Sequence, residues 1–313
     1  MNRWPSLKQL HYLVELAECQ NFNRAAKRCY VSQSTLSTGI QTLEELLMVQ
    51  LVERDNKSCI MTPVGLDVVT RARKILTETR DLMDISLIHG GVATGSIRLG
   101  VIPTIAPFVL PQLLPVCSAK YPELELLLRE DTSANLVNQL AKGELDLLLL
   151  ALPYDLGAFH CKPLGQDPFR LVMHHSLAQA MSGKPDYGQL PESSLFLLEQ
   201  EHCLRGHALS ACHMADQSKI NPFSATSLYT LVQMVASRVG ATFLPQMAIS
   251  AGILEHTQLV ALPFPESSAA RDIGLVWRPS STRVATYYCL SELISDCLAS
   301  LCSQVSVDST SVA

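Results

Sequence analysis

Two cysteines and their polar neighbours form the stretch of this chain best suited to chemistry. Residues 202–213 read HCLRGHALSACH, with Cys203 and Cys212 nine positions apart. Cys203 lies beside His202 and two residues before Arg205, and cationic neighbours favour the reactive thiolate. Cys212 lies among apolar residues, a setting that keeps a thiol protonated. We therefore predict that Cys203 is the more reactive of the two.

The spacing of the cysteines predicts that oxidation would change the local fold. If residues 203–212 form one helix, nine residues rise about 13.5 Å and turn about 900°, so the two side chains point to opposite faces. A disulfide needs Cα atoms within about 7 Å of each other. A sulfenic acid formed by peroxide at Cys203 could condense with Cys212 only if the segment unwinds. Gly206 lowers helix propensity by about 1 kcal/mol and would ease that unwinding.

The residues alone leave two other interpretations open. His202, Cys203, Cys212 and His213 could supply four ligands to zinc, although adjacent ligands chelate poorly from a helix. The two cysteines could also be ordinary thiols, since the chain has ten cysteines in all. The C-x-x-C spacing of common zinc sites does not occur.

Length and composition predict a folded chain of about two domains. The chain has 313 residues, of which 48% are hydrophobic and 17% charged. It shows no secretory signal and no apolar run near the roughly 20 residues of a membrane helix, so we expect a cytoplasmic protein. The net charge is −5, but residues 1–75 hold ten basic and seven acidic side chains. A mildly basic head on an acidic body indicates an anionic partner for the head.

The first 61 residues predict a winged helix-turn-helix domain. Ser6 and Gln9 form a capping-box pattern before a first helix, Asn23 is expected to cap a second, and Ser32 begins a third. A short helix, a tight turn and a longer helix are the helix-turn-helix layout. Residues 51–52 and 59–61 flank a polar turn, which predicts a wing with a basic tip. Double-stranded DNA at promoter sites is the expected partner.

Polar and basic residues of this domain are the candidate DNA contacts. The third helix opens with short donors and acceptors that would face base edges and phosphates. Basic residues on the second helix and the wing would add phosphate contacts. The candidates are Arg24, Ser32, Gln33, Ser34, Thr35, Ser37, Thr38, Arg54 and Lys57. A first turn rich in Ser and Thr would equally serve as an ordinary helix cap.

Residues 62–91 predict a long linker helix with a narrow apolar stripe. The stripe consists of Val69, Ala72, Leu76, Met83 and Leu87. Its spacing is close to a heptad repeat, which favours a dimer contact. Packing of the stripe against its own domain is the alternative.

From about residue 92 the pattern alternates between strands and helices. This rhythm predicts a regulatory domain over 92–313 with a mainly parallel sheet. We expect two lobes, lobe I at about 92–166 and 269–313 and lobe II at about 167–268, with a cleft between them. Thr104 and Ser133 each follow a predicted strand, where α/β sheets bind ligands. Either residue could instead be a helix cap.

Several motifs resemble those of LysR-type transcriptional regulators. In the N-terminal domain they are FNRAA at 22–26, VSQSTLS at 31–37, IQTLE at 40–44, LVER at 51–54 and TPVG at 62–65. Further motifs resemble the peroxide-sensing members of that family, namely GVIPT at 100–104, HCLR at 202–205, ATSL at 225–228 and IGLVWRP at 273–279. The resemblance covers nearly the whole chain. It implies an α/β protein with an N-terminal winged helix-turn-helix, a long linker helix and a two-lobed regulatory domain like periplasmic binding proteins.

The resemblance also implies roles for individual residues. Cys203 would be the peroxidatic cysteine and Cys212 the resolving one. The residues that would bind or polarise hydrogen peroxide are Thr104, Ser133, His202 and Arg271. A homodimer or homotetramer that works with RNA polymerase is implied, without a cofactor or metal. Gly206 and the Gln200–Glu201 pair depart from the family's pattern.

Two further functions compete with peroxide sensing. The cleft between the lobes could bind a small organic effector while the cysteines stay idle. The chain could instead be a thiol peroxidase, but an enzyme has no need of a DNA-binding head, and no recycling motif is visible. We therefore expect a regulator rather than an enzyme.

Overall fold

The structure of the chain is a computed structural model that describes residues 4–54, 59–87, 92–181, 190–211, 217–237, 240–263 and 269–302. Two compact units make up the chain, Met1–His89 and Gly90–Ala313. Among the described residues, none of the helices combines the length and the apolar run that would span a lipid bilayer.

The first unit is a winged helix-turn-helix, as predicted. Its elements are α1 (Leu7–Cys19), α2 (Phe22–Arg28), α3 (Gln33–Leu47), β1 (Val52–Arg54), β2 (Cys59–Met61) and α4 (Pro63–Leu87). The capping box of Ser6 and Gln9 is present, and Ser32 caps α3. The prediction that Asn23 caps the second helix is wrong. Asn21 does so, because its side chain accepts a hydrogen bond from the Arg24 amide at 3.0 Å and the helix already begins at Phe22.

The wing is fixed to the end of α3 by one carboxylate. Glu44 Oε1 accepts hydrogen bonds from the amides of Leu51 and Val52 at 2.7 and 3.0 Å. Strands β1 and β2 pair antiparallel beyond that point. Gly65 at the start of α4 packs so tightly that an added Cβ would lie 2.1 Å from the carbonyl oxygen of Leu51. These contacts set where the wing leaves the helix-turn-helix.

The apolar stripe of α4 divides between two environments. Val69 and Ala72 are buried in the core of their own domain, and Leu76 packs against it. Met83, nearer the end of the helix, is 69% exposed. The side chain of Leu87 lies outside the described residues. The first half of the predicted dimer stripe therefore packs on its own domain, whereas Met83 is exposed.

The second unit is an α/β domain built on a long twisted sheet. Its elements are β3 (Gly95–Val101), α5 (Ala106–Lys120), β4 (Leu124–Glu130), α6 (Ser133–Ala141), β5 (Leu147–Leu152), β6 (His160–His174), α7 (His175–Ala180), β7 (Leu195–Leu198), α8 (Cys203–Ala211), β8 (Ile220–Ala225), α9 (Leu228–Ala236), β9 (Ala241–Pro245), α10 (Gln246–Ser250), β10 (Leu259–Pro263), β11 (Ala270–Trp277) and α11 (Val284–Cys302). Strand β5 lies at the centre of the core, and residues 147–151 are completely buried.

The sheet is mixed, which corrects the prediction of a mainly parallel one. The strand order is β4-β3-β5-β11-β6-β9-β7-β8, with β10 also paired to β6. Strand β3 runs parallel to β4 and β5, and β7 runs parallel to β8 and β9. Strands β6 and β11 pair antiparallel with all their neighbours. The reason is that these two strands carry the chain out of one lobe and back into it, so they run in opposite directions.

Strand β6 joins the two lobes. Residues 160–168 pair with β11, and residues 169–174 pair with β9 and β10. The two-lobed α/β architecture is thus confirmed, whereas the lobe boundaries near 166 and 269 stay a prediction. Asp167 lies where β6 passes from one set of partners to the other, directly opposite Arg271 on β11.

Candidate functional site

Cys203 is the first residue of α8 and is half-buried. Leu204 and Ala208 on the inner face of α8 are almost fully buried and anchor the helix. The first turn of a helix presents unpaired amides, which favour a negative charge nearby. A cysteine in this position is therefore predisposed to form a thiolate.

A small pocket adjoins the Cys203 thiol. It is lined by Ile102, Pro103, Thr104, Thr132, Ser133, Glu201, His202 and Cys203. The structure thus brings together four of the residues that the sequence singled out, from three separate stretches of chain. The lining residues leave little free space beside Cys203.

Arg271 holds one wall of this pocket in place. Its Nη1 donates to Thr104 Oγ1 at 2.8 Å, and Nη2 donates to the Thr104 carbonyl oxygen at 2.9 Å. Nε donates to Asp167 Oδ2 at 3.0 Å. Both members of this ion pair have fully buried side chains. Asp167, whose other oxygen accepts from the Met247 amide at 3.0 Å, was missed by the sequence analysis, because only the pairing of β6 with β11 shows that it faces Arg271.

The surroundings of Cys203 favour its thiolate. Burial raises the pKa of the Cys203 thiol, but interactions with His207 and Ser133 and the positive charge of Arg271 outweigh burial, so the pKa lies below its ordinary value. By contrast, burial and the nearby Glu15 and Cys19 raise the pKa of Cys29 to about 11, despite the positive charge of Arg28. Burial also raises the pKa values of Cys117, Cys161, Cys297 and Cys302. This contrast supports the prediction that Cys203 is reactive.

His207 belongs to the site but was not among the predicted site residues. Its Nε2 lies 2.9 Å from the carbonyl oxygen of Pro153. Burial lowers the pKa of His207, but interactions with the Cys203 thiol and the Pro153 carbonyl more than compensate, so the pKa is raised. The spacing of four residues from Cys203 was the available signal, since residues i and i+4 share a helix face.

Two buried polar atoms of the site are unsatisfied. Among the described residues, Ser133 Oγ and His207 Nδ1 have no hydrogen-bond partner of ordinary geometry. Ser133 is the first residue of α6, and the cap of that helix is Thr132. The helix-cap alternative for Ser133 is therefore wrong. Buried polar groups normally find partners, so these two atoms are available to the Cys203 thiolate or to a small polar ligand.

Part of the predicted chemistry lies beyond the described residues. Cys212 and His213 fall outside them, so neither the disulfide nor the four-ligand zinc set is tested. Within the described ranges, there is no cluster of three or more His, Cys, Asp or Glu side chains placed to hold a metal ion. The nine cysteines of those ranges are free thiols.

Most candidate DNA contacts lie on the first turns of α3 and are exposed. Ser32 Oγ accepts from the Thr35 amide at 3.1 Å and lies 2.9 Å from Ser34 Oγ. The exposed candidates are Arg24, Ser32, Gln33, Ser34, Thr35 and Thr38, and Ser37 is half-buried. Arg54 ends β1, with its side chain outside the described residues, and Lys57 lies outside them altogether. Ser32 is thus a helix cap and is also exposed for a DNA contact.

Comparison with known proteins agrees with both units. The family described as "Bacterial regulatory helix-turn-helix protein, lysR family" matches residues 7–66, and "LysR substrate binding domain" matches residues 90–297. The HTH-type transcriptional regulator EstR of Acinetobacter baylyi is 41% identical over 277 residues, which cover 88% of this chain and 92% of that protein. The hydrogen peroxide-inducible genes activator of Escherichia coli O157:H7 is 37% identical over 289 residues, with 92% and 94% covered.

A solved structure resembles the second unit. The reduced form of the regulatory domain of OxyR2 from Vibrio vulnificus is 52% identical and superposes with a TM-score of 0.64. The match covers 66% of this chain and 96% of that one. Together with the two family matches, these findings show that the chain belongs to the LysR family of bacterial helix-turn-helix transcriptional regulators.

Proposed function

We propose that this regulator senses hydrogen peroxide through Cys203 and reports it by a reversible disulfide with Cys212. The proposal is based on the surroundings of the Cys203 thiol. The thiol of Cys203, alone among the cysteines whose shifts are given above, has a lowered pKa, and it borders a small pocket lined by Thr104 and Ser133. The thiolate is the nucleophilic form of cysteine, so these surroundings suit attack on hydrogen peroxide.

The reaction proceeds in two balanced steps. The Cys203 thiolate attacks one oxygen of hydrogen peroxide, the O–O bond breaks, and the departing hydroxide takes a proton to become water. Cys203 is then a sulfenic acid. The Cys212 thiol attacks its sulfur, the S–O bond breaks, and a second water leaves as the disulfide forms. The peroxide is reduced and the two thiols are oxidised.

Thr104, Ser133, His202 and Arg271 are the proposed peroxide-binding residues. Thr104 and Ser133 place hydroxyl groups in the pocket wall, and His202 lines the same pocket. Arg271 acts from behind this wall, since its guanidinium bonds Thr104 and its charge favours the Cys203 thiolate. Peroxide oxygens both donate and accept hydrogen bonds, and hydroxyl groups suit both needs.

Sensing of an organic effector is the second candidate. The likeness to EstR, at 41% identity over most of the chain, favours it. Two observations weigh against it. The residues around Cys203 leave little free space for an organic ligand, and the regulatory unit is 52% identical to that of an OxyR2 protein.

The remaining partners follow from this proposal. Double-stranded promoter DNA would contact the exposed start of α3. Met83 and Leu82, 69% and 66% exposed on α4, would meet a second copy in a homodimer, and pairs of dimers would form the homotetramer. RNA polymerase would be recruited once the regulatory units repack. The chain would act stoichiometrically, as a regulator and not as an enzyme, on DNA in the cytoplasm.

Mass mapping under non-reducing conditions tests the proposal. After a brief pulse of hydrogen peroxide, the wild-type chain should yield a cross-linked pair of peptides holding Cys203 and Cys212. Cys203→Ser should abolish the effect of peroxide on promoter binding, while Cys161→Ser, on an exposed strand position, should respond like wild type. A Cys203→Ser chain that still responds to peroxide would contradict the proposal, and a response to an organic effector instead would favour the second candidate.

A further inference from the structure

His207 is placed to exchange a proton with Cys203. The two residues are four apart on α8, so their side chains emerge from the same helix face. Each affects the ionisation of the other. His207 has no role in the peroxide-sensing function described above.

The hydrogen bond to the Pro153 carbonyl fixes which ring nitrogen of His207 can interact with the Cys203 thiol. A carbonyl oxygen only accepts hydrogen bonds, so Nε2, at 2.9 Å, must carry a proton and donate it. In the neutral ring Nδ1 is then a lone-pair acceptor. Nδ1 is buried and, among the described residues, has no hydrogen-bond partner. Nδ1 is therefore the ring nitrogen left to accept the thiol proton of Cys203, in a tautomer that the Pro153 carbonyl fixes.

We propose that His207 is the general base and acid of the Cys203 reaction. The inference rests on the peroxide-sensing function proposed above. Nδ1 takes the proton of the Cys203 thiol, which leaves a thiolate beside an imidazolium. The thiolate attacks hydrogen peroxide, the O–O bond breaks, and the imidazolium returns the proton to the departing hydroxide, which leaves as water. Cys203 becomes a sulfenic acid, and His207 is neutral again.

Other charged and titratable groups also face this pair. Arg271 on β11 favours the thiolate and opposes a second positive charge on His207. Tyr154, between β5 and β6, interacts with Cys203, and Glu201 and His202 line the pocket at the turn before α8. These groups remain unchanged in a His207 variant. A change in the pH profile can therefore be assigned to the imidazole.

The alternative is that His207 only ties α8 to the Pro153 carbonyl. Glutamine separates the two roles, because its side-chain amide can still donate to that carbonyl but offers no base at the position of Nδ1. His207→Gln should therefore fold with an unchanged melting temperature. His11→Gln is the matched control, since His11 is an exposed histidine of α1 in the other unit.

The decisive experiment measures the alkylation rate of Cys203 by iodoacetamide between pH 5 and 10, in the reduced full-length chain, by peptide mass spectrometry. No peroxide is present, so the result is independent of the proposed function. His207→Gln should lower the rate at pH 7 by about tenfold for each unit by which the thiol pKa rises. The rate at pH 10, where the thiol is ionised in any case, should match wild type. His11→Gln should follow the wild-type profile throughout.

The reaction with peroxide completes the test. General acid–base groups typically contribute about a hundredfold or more, so His207→Gln should slow sulfenic acid formation at pH 7 by more than it slows alkylation. An alkylation profile identical to wild type would overturn the inference. A loss of alkylation rate that persists at pH 10 would also overturn it, because it would indicate a structural role for His207. Failure of the sensing function is recognised separately, by a Cys203→Ser chain that still responds to peroxide.

Discussion

The guanidinium of Arg271 and the carboxylate of Asp167 form a fully buried ion pair between directly opposed residues of β11 and β6. Nε and Nη2 both lie 3.0 Å from Asp167 Oδ2. Nη1 and Nη2 also reach across to Thr104 in the pocket wall. One side chain thus ties the junction of the two lobes to the wall that faces Cys203.

Removal of this guanidinium should destabilise the regulatory unit. Arg271→Ala leaves Asp167 buried without its counter-charge, which costs about 3–5 kcal/mol in buried pairs. Denaturant unfolding should show a loss of that size. Asp272→Asn, at the next and exposed position of β11, should change the free energy of unfolding by less than about 0.5 kcal/mol. A loss below about 1 kcal/mol for Arg271→Ala would mean that Asp167 finds another partner or a proton.

Ser133 and Thr132 should respond oppositely to the same substitution. Ser133 Oγ is buried and has no hydrogen-bond partner among the described residues. Ser133→Ala should therefore leave the melting temperature unchanged or raise it. The same change should slow the reaction of Cys203 with peroxide by about tenfold, because the thiolate loses one hydrogen-bond donor. Thr132 caps α6, and Thr132→Ala should cost about 1 kcal/mol of stability.

Thermal unfolding and the rate of sulfenic acid formation would be measured on both variants. If Ser133→Ala proves as destabilising as Thr132→Ala, or reacts with peroxide at the wild-type rate, then the Ser133 hydroxyl is structural and does not serve the thiolate.

Alanine at position 206 should shift the thiol–disulfide equilibrium toward the reduced protein. An added Cβ at Gly206 would meet no atom within 4 Å, so Gly206→Ala would gain about 0.5–1 kcal/mol of helix stability in α8. If the disulfide requires α8 to unwind, this gain in helix stability favours the reduced chain. The ratio of reduced to oxidised chain in a glutathione buffer should then rise about two- to fivefold, which corresponds to about 0.5–1 kcal/mol.

Gly165→Ala is the control, because that position in β6 is equally open but lies outside α8. A Gly206→Ala chain that is oxidised as readily as wild type would indicate that α8 stays helical in the disulfide form.

Arg24 and Arg28 on α2 should differ in their effect on DNA binding. Arg28 is engaged within the domain, 3.2 Å from Glu15 and 3.5 Å from Glu18, whereas Arg24 is an exposed candidate for a phosphate contact. Arg24→Ala should weaken promoter binding and reduce the slope of log affinity against log salt by about 1. Arg28→Ala should leave that slope unchanged. Fluorescence anisotropy across a salt series measures both, and equal slopes for Arg24→Ala and wild type would remove Arg24 from the interface.

Local sequence patterns predicted the first unit well. The Ser6 capping box, the Ser32 cap and the strands of the wing depend on residues a few positions apart, and all are confirmed. The one local error, Asn23 in place of Asn21, arose because two asparagines flank Phe22 and either could precede a helix. Only the hydrogen bond to Arg24 distinguishes them.

Long-range pairing limited the prediction of the second unit. Residues 203–211 do form a helix, and the pocket does gather Thr104, Ser133, His202 and Cys203. The antiparallel course of β6 and β11, however, depends on how distant segments meet, and hydrophobic periodicity carries no record of strand direction. Asp167 was overlooked for the same reason. The i, i+4 spacing of His207 from Cys203 was visible in the sequence, but its role depends on the distant Pro153 carbonyl, which the sequence does not place beside it.

Joining Cys203 to Cys212 should unwind α8, and hydrogen exchange of the amides of residues 204–211 measures that unwinding. The exchange would be compared between reduced chain and chain treated with peroxide, with the disulfide verified by mass in the same sample. We predict that protection of these amides is lost on oxidation, while protection of strand β5 is kept. Full protection of residues 204–211 in a chain that carries the Cys203–Cys212 bond would show that the disulfide forms without unwinding α8.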